Sequence, residues 1–141
     1  MTRIDFHTNI SDKLSYACRL ARKAYGARGK VVLLAENAEQ AGALNEALWT
    51  LSDTDFLPHV MAGDPLAAQT PIIVAHSDTA ELPHFDMLIN LTRRTPAHVD
   101  RFARVFEIIS LDEEDAAAGR KRYVAYKQQA YPLTHFVAGQ S

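Results

Sequence analysis

Residues 11–34 read SDKLSYACRLARKAYGARGKVVLL, and this stretch decides the fold class. Its first part predicts a helix over residues 11–27, because apolar side chains recur at helical spacing and Ser11 can act as the N-cap. Two glycines end that helix, and residues 30–34 follow as a strand that is apolar at every position after Lys30. Continuously apolar strands are buried on both faces, which is typical of a parallel sheet.

The same alternation of strands and helices extends along the rest of the chain. Asn37, with Gln40 three residues later, predicts the capped start of a second helix, and residues 49–70 are expected to be mostly loop. The other expected elements are strands at 3–6, 71–75, 87–91 and 105–109 and helices at 96–103 and 112–130. We therefore predict a Rossmann-like α/β fold in one domain, residues 1–141, with helices on both faces of a mainly parallel sheet.

The amino-acid composition indicates a globular protein in a reducing compartment. Of the 141 residues, 48% are apolar and 23% are charged, which is enough apolar sequence for a core. A single cysteine, Cys18, excludes an internal disulfide framework and fits a reducing compartment. No apolar run approaches the ~20 residues of a membrane span. The expectation is a cytoplasmic protein that makes no membrane contact.

Charge is unevenly distributed along the chain. The net charge is −2, which argues against a dedicated duplex-DNA binder. Residues 31–92 nevertheless contain no Lys or Arg and carry −9, whereas the remainder carries +7. If the first and last helices share one side of the fold, that side is basic and suits an acidic ligand. The alternative is that solvated charges are segregated without a function.

Signals for a nucleotide site are weak. A dinucleotide site needs glycines where the first strand meets its helix, and residues 7–11 contain none. The segment from Gly26 to Lys30 has two glycines but is shorter than a phosphate loop, and a strand follows where a helix is required. We interpret these glycines as a helix stop.

Signals for catalysis or metal binding are equally weak. Cys18 lies on the apolar stripe of the first helix, and no nucleophile elbow is present. Four possible metal ligands are close in sequence but lack ligand spacing, and we interpret them as solvated loop residues: His76, Asp78, His84 and Asp86. We predict no catalytic residue, no metal and no cofactor.

Two segments instead indicate binding surfaces. The first contains Trp49 and Phe56, residue types that anchor interfaces, in an aperiodic stretch of the acidic segment. Packing against the sheet remains an alternative, above all for Trp49, whereas the acidic neighbours of Phe56 favour its exposure. The second is RKRYVAYK at 120–127, which places Arg120, Tyr123 and Lys127 on one helix face. Such a face can hold a carboxylate and an aromatic ring, or it is simply solvated.

Several of these segments resemble the chi subunit family of bacterial DNA polymerase III. Members of this family are small accessory proteins of the clamp loader. The similarity covers nearly the whole chain and is most specific where LNEALW is followed by FLPH. The segments are GKVVL at 29–33, LNEALW at 44–49, FLPH at 56–59, LINL at 88–91 and RKRYVAYK at 120–127.

The resemblance implies a non-enzymatic, Rossmann-like adaptor in DNA replication. Members of the family pair with the psi subunit of the clamp loader as a heterodimer and bind the acidic C-terminal tail of single-stranded DNA-binding protein. Direct binding to nucleic acid is expected not to be strong. The open alternative is a small α/β nucleotide-binding module or enzyme whose site is not recognised.

The resemblance also assigns residues to two sites. Trp49 and Phe56 match psi-contacting positions, and with Leu57 and Pro58 they form the expected psi site. The expected tail-binding residues are Arg120, Tyr123, Val124 and Lys127. Val124 stands where a family member has a basic residue important for the tail. Either the affinity for the tail is weaker, or the missing charge is supplied by Lys121, Arg122 or Lys127.

Overall fold

A computed structural model describes residues 2–50 and 56–139 of the chain, which contain seven strands and three α-helices. The strands are β1 Arg3–Ile10, β2 Val31–Leu34, β3 His59–Met61, β4 Ile72–Ala75, β5 Met87–Asn90, β6 Arg104–Ser110 and β7 Leu133–Val137. The helices are α1 Lys13–Gly26, α2 Ala38–Thr50 and α3 Glu113–Gln128, with 3₁₀ turns at Ala67–Gln69 and Val99–Arg101.

Within the described residues, the strands form one seven-stranded sheet in the order β3-β4-β2-β5-β6-β1-β7. Every pairing between neighbours is parallel. β2 and β4 are buried at every position, as the apolar sequences predicted. The predicted Rossmann-like α/β fold with a parallel sheet is therefore confirmed.

Helices cover both faces of this sheet. Cys18 of α1 and Leu44 of α2 belong to one buried cluster, while Tyr126 of α3 belongs to the cluster on the opposite face. The first and last helices therefore do not share one side, and the condition for a basic face is not met. Charge instead divides the sheet across its width, because residues 31–92 supply the neighbouring strands β3, β4, β2 and β5.

The structure corrects the predicted N-cap of α1 and confirms that of α2. Asp12, not Ser11, caps α1, and its carboxylate accepts the Ser15 backbone N–H at 3.0 Å. The capping predicted for α2 is confirmed, since the side chain of Asn37 accepts the backbone N–H of Gln40 at 2.8 Å. Asp and Asn accept these otherwise unpaired N–H groups well because their side-chain oxygen reaches two or three residues ahead.

Two strands and one helix differ from the sequence prediction. β3 has three residues, too few to show a period, and β7 is mostly exposed at the sheet edge, where it pairs only with β1 among the described residues. The helix expected at 96–103 is a single 3₁₀ turn, Val99–Arg101. Part of the expected loop, residues 51–55, lies outside the described residues.

Candidate protein-binding surfaces

A groove of about 740 Å³ lies between α3 and the strands β1 and β7, and we call it the α3 groove. Its apolar lining includes Phe6, Ile109 and Gly119, and Tyr123, Val124 and His135 lie on its walls. Gly119 lets α3 sit close to β6, since a Cβ on this residue would be 2.7 Å from Ile109 Cδ1. The groove therefore follows from a close helix–strand contact at one end and an open sheet edge at the other.

Tyr123 and Arg120 give the α3 groove its chemistry. The half-buried Tyr123 ring packs edge-on against Phe6, with centroids 5.1 Å apart. Arg120 is exposed in the lining, and its Nη2 lies 3.2 Å from Glu113 Oε1. Because both partners of that ion pair are exposed, the pair contributes only about 0–1 kcal/mol and can exchange for another carboxylate. The groove thus places an available guanidinium beside an apolar, partly aromatic pocket.

The remaining candidate tail-binding residues of α3 do not all line the α3 groove. Val124 is 53% exposed in the α3 groove, whereas Lys127 is exposed on α3 outside the groove lining. Lys121 lines a separate groove on the other side of α3, together with Arg93 and Arg94. Of the three cations considered as a substitute for the missing charge, Lys127 alone is both exposed and outside that second groove.

Arg122 is buried, which corrects its place among the candidate charges for the tail. Its Nη2 and Nε donate to Glu107 Oε1 at 3.0 and 3.2 Å. Tyr126 Oη donates to the other carboxylate oxygen at 2.7 Å, and Asn90 Nδ2 donates to Oε1 at 2.9 Å. Burial raises the pKa of Glu107, while these donors favour its charged form. This network holds α3 on the sheet and so positions the α3 groove.

We expect Arg122→Ala to lower the free energy of unfolding by about 3–5 kcal/mol, because it leaves the Glu107 carboxylate buried without its cation. Chemical denaturation measures this change. The matched control is Lys121→Ala, one residue away and exposed, which should change stability by no more than about 0.5 kcal/mol. Equal stability of the two variants would contradict a structural role for the network.

The second surface lies where α2 ends and β3 begins, and we call it the Trp49–Phe56 surface. These two side chains are 52% and 64% exposed, and their ring centroids are 5.3 Å apart. Trp49 also packs on the buried His59 ring, at 4.7 Å between centroids. The expected exposure of Phe56 is confirmed, and Trp49 is exposed as well, although its ring contacts those of Phe56 and His59.

Leu57 and Pro58 support this surface in different ways. Leu57 is 4% exposed and joins the core cluster with α1 and α2, so it anchors the segment instead of presenting a contact. Pro58 is half-buried. His59 Nδ1 lies 2.7 Å from the Leu57 carbonyl oxygen and fixes the turn into β3. The buried Leu57 and His59 therefore fix the segment that carries Phe56.

Features expected of an enzyme are weak in the described residues. Burial raises the pKa of the Cys18 thiol to about 11, so the thiol is not a ready nucleophile at neutral pH. Within residues 2–50 and 56–139, no three His, Cys, Asp or Glu side chains are grouped to hold a metal ion. No helix in these ranges is long and apolar enough to cross a membrane.

The fold and the two surfaces define a class: a parallel α/β protein with an apolar groove and an exposed aromatic pair. The family model described as DNA polymerase III chi subunit, HolC, matches residues 1–134. The chain belongs to this family, whose members are accessory subunits of the replication polymerase.

Individual relatives agree with this assignment. DNA polymerase III subunit chi of Pseudomonas aeruginosa is 34% identical over 139 residues, covering 94% of each chain. The corresponding subunit of Escherichia coli is 26% identical over 116 residues, or 82% of this chain and 79% of the relative. The crystal structure of T4 UvsW matches 97% of this chain and 41% of that chain with a TM-score of 0.71. At 7% identity this last likeness shows the fold alone.

Proposed function

We propose that the chain is a non-catalytic adaptor that binds the acidic C-terminal tail of single-stranded DNA-binding protein in the α3 groove. The observation that carries this proposal is the exposed Arg120 beside the apolar pocket that Tyr123 and Phe6 line. A peptide that ends in an aromatic residue presents a ring and a carboxylate together. The pocket takes the ring, and Arg120 forms a charge-assisted hydrogen bond with the carboxylate.

We further propose that the Trp49–Phe56 surface binds the psi subunit. The support is that two large apolar side chains remain exposed on an anchored segment, since a surface of this kind is stabilised when a partner covers it. The α3 groove lies at the β1–β7 end of the sheet, and β3 forms the opposite edge. One adaptor can therefore hold both partners at the same time, away from each other.

Isothermal titration calorimetry with a tail peptide tests the first assignment. We expect the full peptide to bind and the peptide without its terminal aromatic residue not to bind. The shortened peptide lacks the ring, and its terminal carboxylate lies one residue earlier, away from Arg120. Binding should weaken as salt is added, since the charges involved are exposed and screened. Equal affinity for the full and shortened peptides would refute the assignment.

Val124→Lys provides a gain of function in the same assay. The side chain is 53% exposed in the groove lining, so a lysine fits there without entering the core. An added cation close to an acidic peptide should tighten binding severalfold at low salt, with the difference disappearing at high salt. A matched control is Leu66→Lys, which adds the same charge at an exposed apolar residue outside the groove lining and should bind the peptide like the parent chain. No change, or weaker binding, in Val124→Lys would contradict the proposed path of the peptide.

A further inference from the structure

A basic and aromatic groove of about 340 Å³ lies on the opposite face of the sheet from the α3 groove. We call it the α1–β7 groove, and its lining consists of His7, Tyr16, Arg19, Leu20, Lys23 and Phe136. It exists because side chains alternate along β7. His135 lines the α3 groove, and the next residue, Phe136, lines the α1–β7 groove.

The aromatic part of this groove is held in place. Phe136 is 55% exposed, and its ring lies 5.6 Å from the His7 ring. His7 is fixed in turn by a hydrogen bond to the Tyr16 hydroxyl and by edge contact with Phe106 at 5.6 Å. Burial lowers the pKa of His7, which keeps its ring uncharged at neutral pH. A flat aromatic surface is therefore open to solvent without further rearrangement.

Two cations lie beside this aromatic surface. Arg19 and Lys23 project from α1 into the lining, and Arg28 and Lys30 are exposed just beyond the end of the helix. No acidic residue occurs between Asp12 and Glu36 in the sequence, so this part of the surface carries positive charge without local compensation from its own element. On the neighbouring β1, the buried Asp5 is engaged by Arg104 and Arg3.

We propose that the α1–β7 groove is a contact site for single-stranded DNA. Exposed aromatic rings stack on bases, and adjacent cations follow the phosphates, which is the combination that single-strand binding surfaces use. A duplex presents few base faces to such a site. With one open ring and a few cations, binding is weak by itself, consistent with the expectation that direct nucleic-acid binding is not strong. It adds to a complex already held on the strand by another contact.

Fluorescence anisotropy with a labelled oligodeoxythymidine at low salt tests the proposal on the full chain. We expect the double variant Arg19→Glu/Lys23→Glu to lose binding, and Phe136→Ala to weaken it by about fivefold or more. If about three phosphates are neutralised, a tenfold rise in salt should lower the affinity about 100-fold. Two controls outside the groove should bind like the parent: the double variant Arg101→Glu/Lys121→Glu, which makes the same change of charge, and Leu66→Ala, which truncates an exposed apolar side chain.

Two further probes separate stacking from simple charge attraction. An abasic oligonucleotide should bind more weakly than oligodeoxythymidine and should be insensitive to Phe136→Ala, while an acidic peptide without aromatic residues should not bind. Melting curves check that Phe136→Ala remains folded. The double charge variant changes only exposed residues, so we expect it to be as stable as the parent chain. Absence of binding at low salt, equal losses in the control variants, or tighter binding of the acidic peptide would overturn the proposal.

Discussion

Arg120→Glu is expected to reduce binding of the tail peptide by about 100-fold or more at low salt, the largest effect of any single change in the α3 groove. The substitution removes a charge-assisted hydrogen bond, which contributes about 1.5–3 kcal/mol, and adds repulsion between two negative groups. Arg120→Ala removes the hydrogen bond without adding repulsion, so it should bind more tightly than Arg120→Glu. Calorimetry at two salt concentrations measures both effects.

Controls for this prediction come from the same helix. Lys121→Glu makes an equivalent charge change on the side of α3 that faces Arg93 and Arg94, and it should bind the peptide nearly as well as the parent chain. Stability should be almost unchanged in Arg120→Glu, because this side chain is exposed and its ion pair with Glu113 is exposed as well. Equal losses in the Lys121 and Arg120 variants would mean that net charge, not the α3 groove, governs the interaction.

Phe56→Ala is expected to remove most of the affinity for the psi subunit while the chain stays folded. Truncation of an aromatic anchor at the centre of an interface commonly costs about 2 kcal/mol or more, or roughly 30-fold in affinity. Phe56 is 64% exposed and contacts Trp49 at the surface, so its loss should change the free energy of unfolding little. A pull-down beside a melting curve separates the two effects.

Leu57→Ala should show the opposite behaviour to Phe56→Ala, with a large loss of stability. Leu57→Ala removes a side chain from the core cluster and should destabilise the chain by about 2–5 kcal/mol. Phe136→Ala, which truncates an exposed aromatic on the opposite edge strand, should bind the psi subunit like the parent chain. If Phe56→Ala destabilises the chain strongly and still captures the partner, Phe56 belongs to the core and the assignment fails.

Much of the fold could be predicted because its strands are buried on both faces. The segments at β2, β4 and β5 are continuously or nearly apolar, and such segments have few alternatives to a parallel sheet. β7 could not be predicted, since an edge strand needs little apolar sequence and Thr134, His135 and Phe136 are all exposed. Its pairing with β1 depends on contacts more than 120 residues apart along the chain, which no local pattern reveals.

The candidate sites show the same division between local and distant information. Helical spacing correctly placed Arg120 and Tyr123 near each other, because residues three apart on a helix are neighbours. Spacing could not distinguish the exposed Arg120 from the buried Arg122, whose partner Glu107 lies on β6. The floor of the α3 groove also comes from distant strands, and Phe136 meets α1 only through the pairing of β7 with β1.

The central claim, that the α3 groove receives the acidic tail, is tested most directly by following the backbone amide resonances of the chain during titration with the tail peptide. We predict shifts concentrated at Gly119, Tyr123, Val124 and His135, with the Trp49 indole resonance unchanged. Shifts confined to the Trp49–Phe56 surface, or to the groove lined by Arg93 and Arg94, would contradict the account.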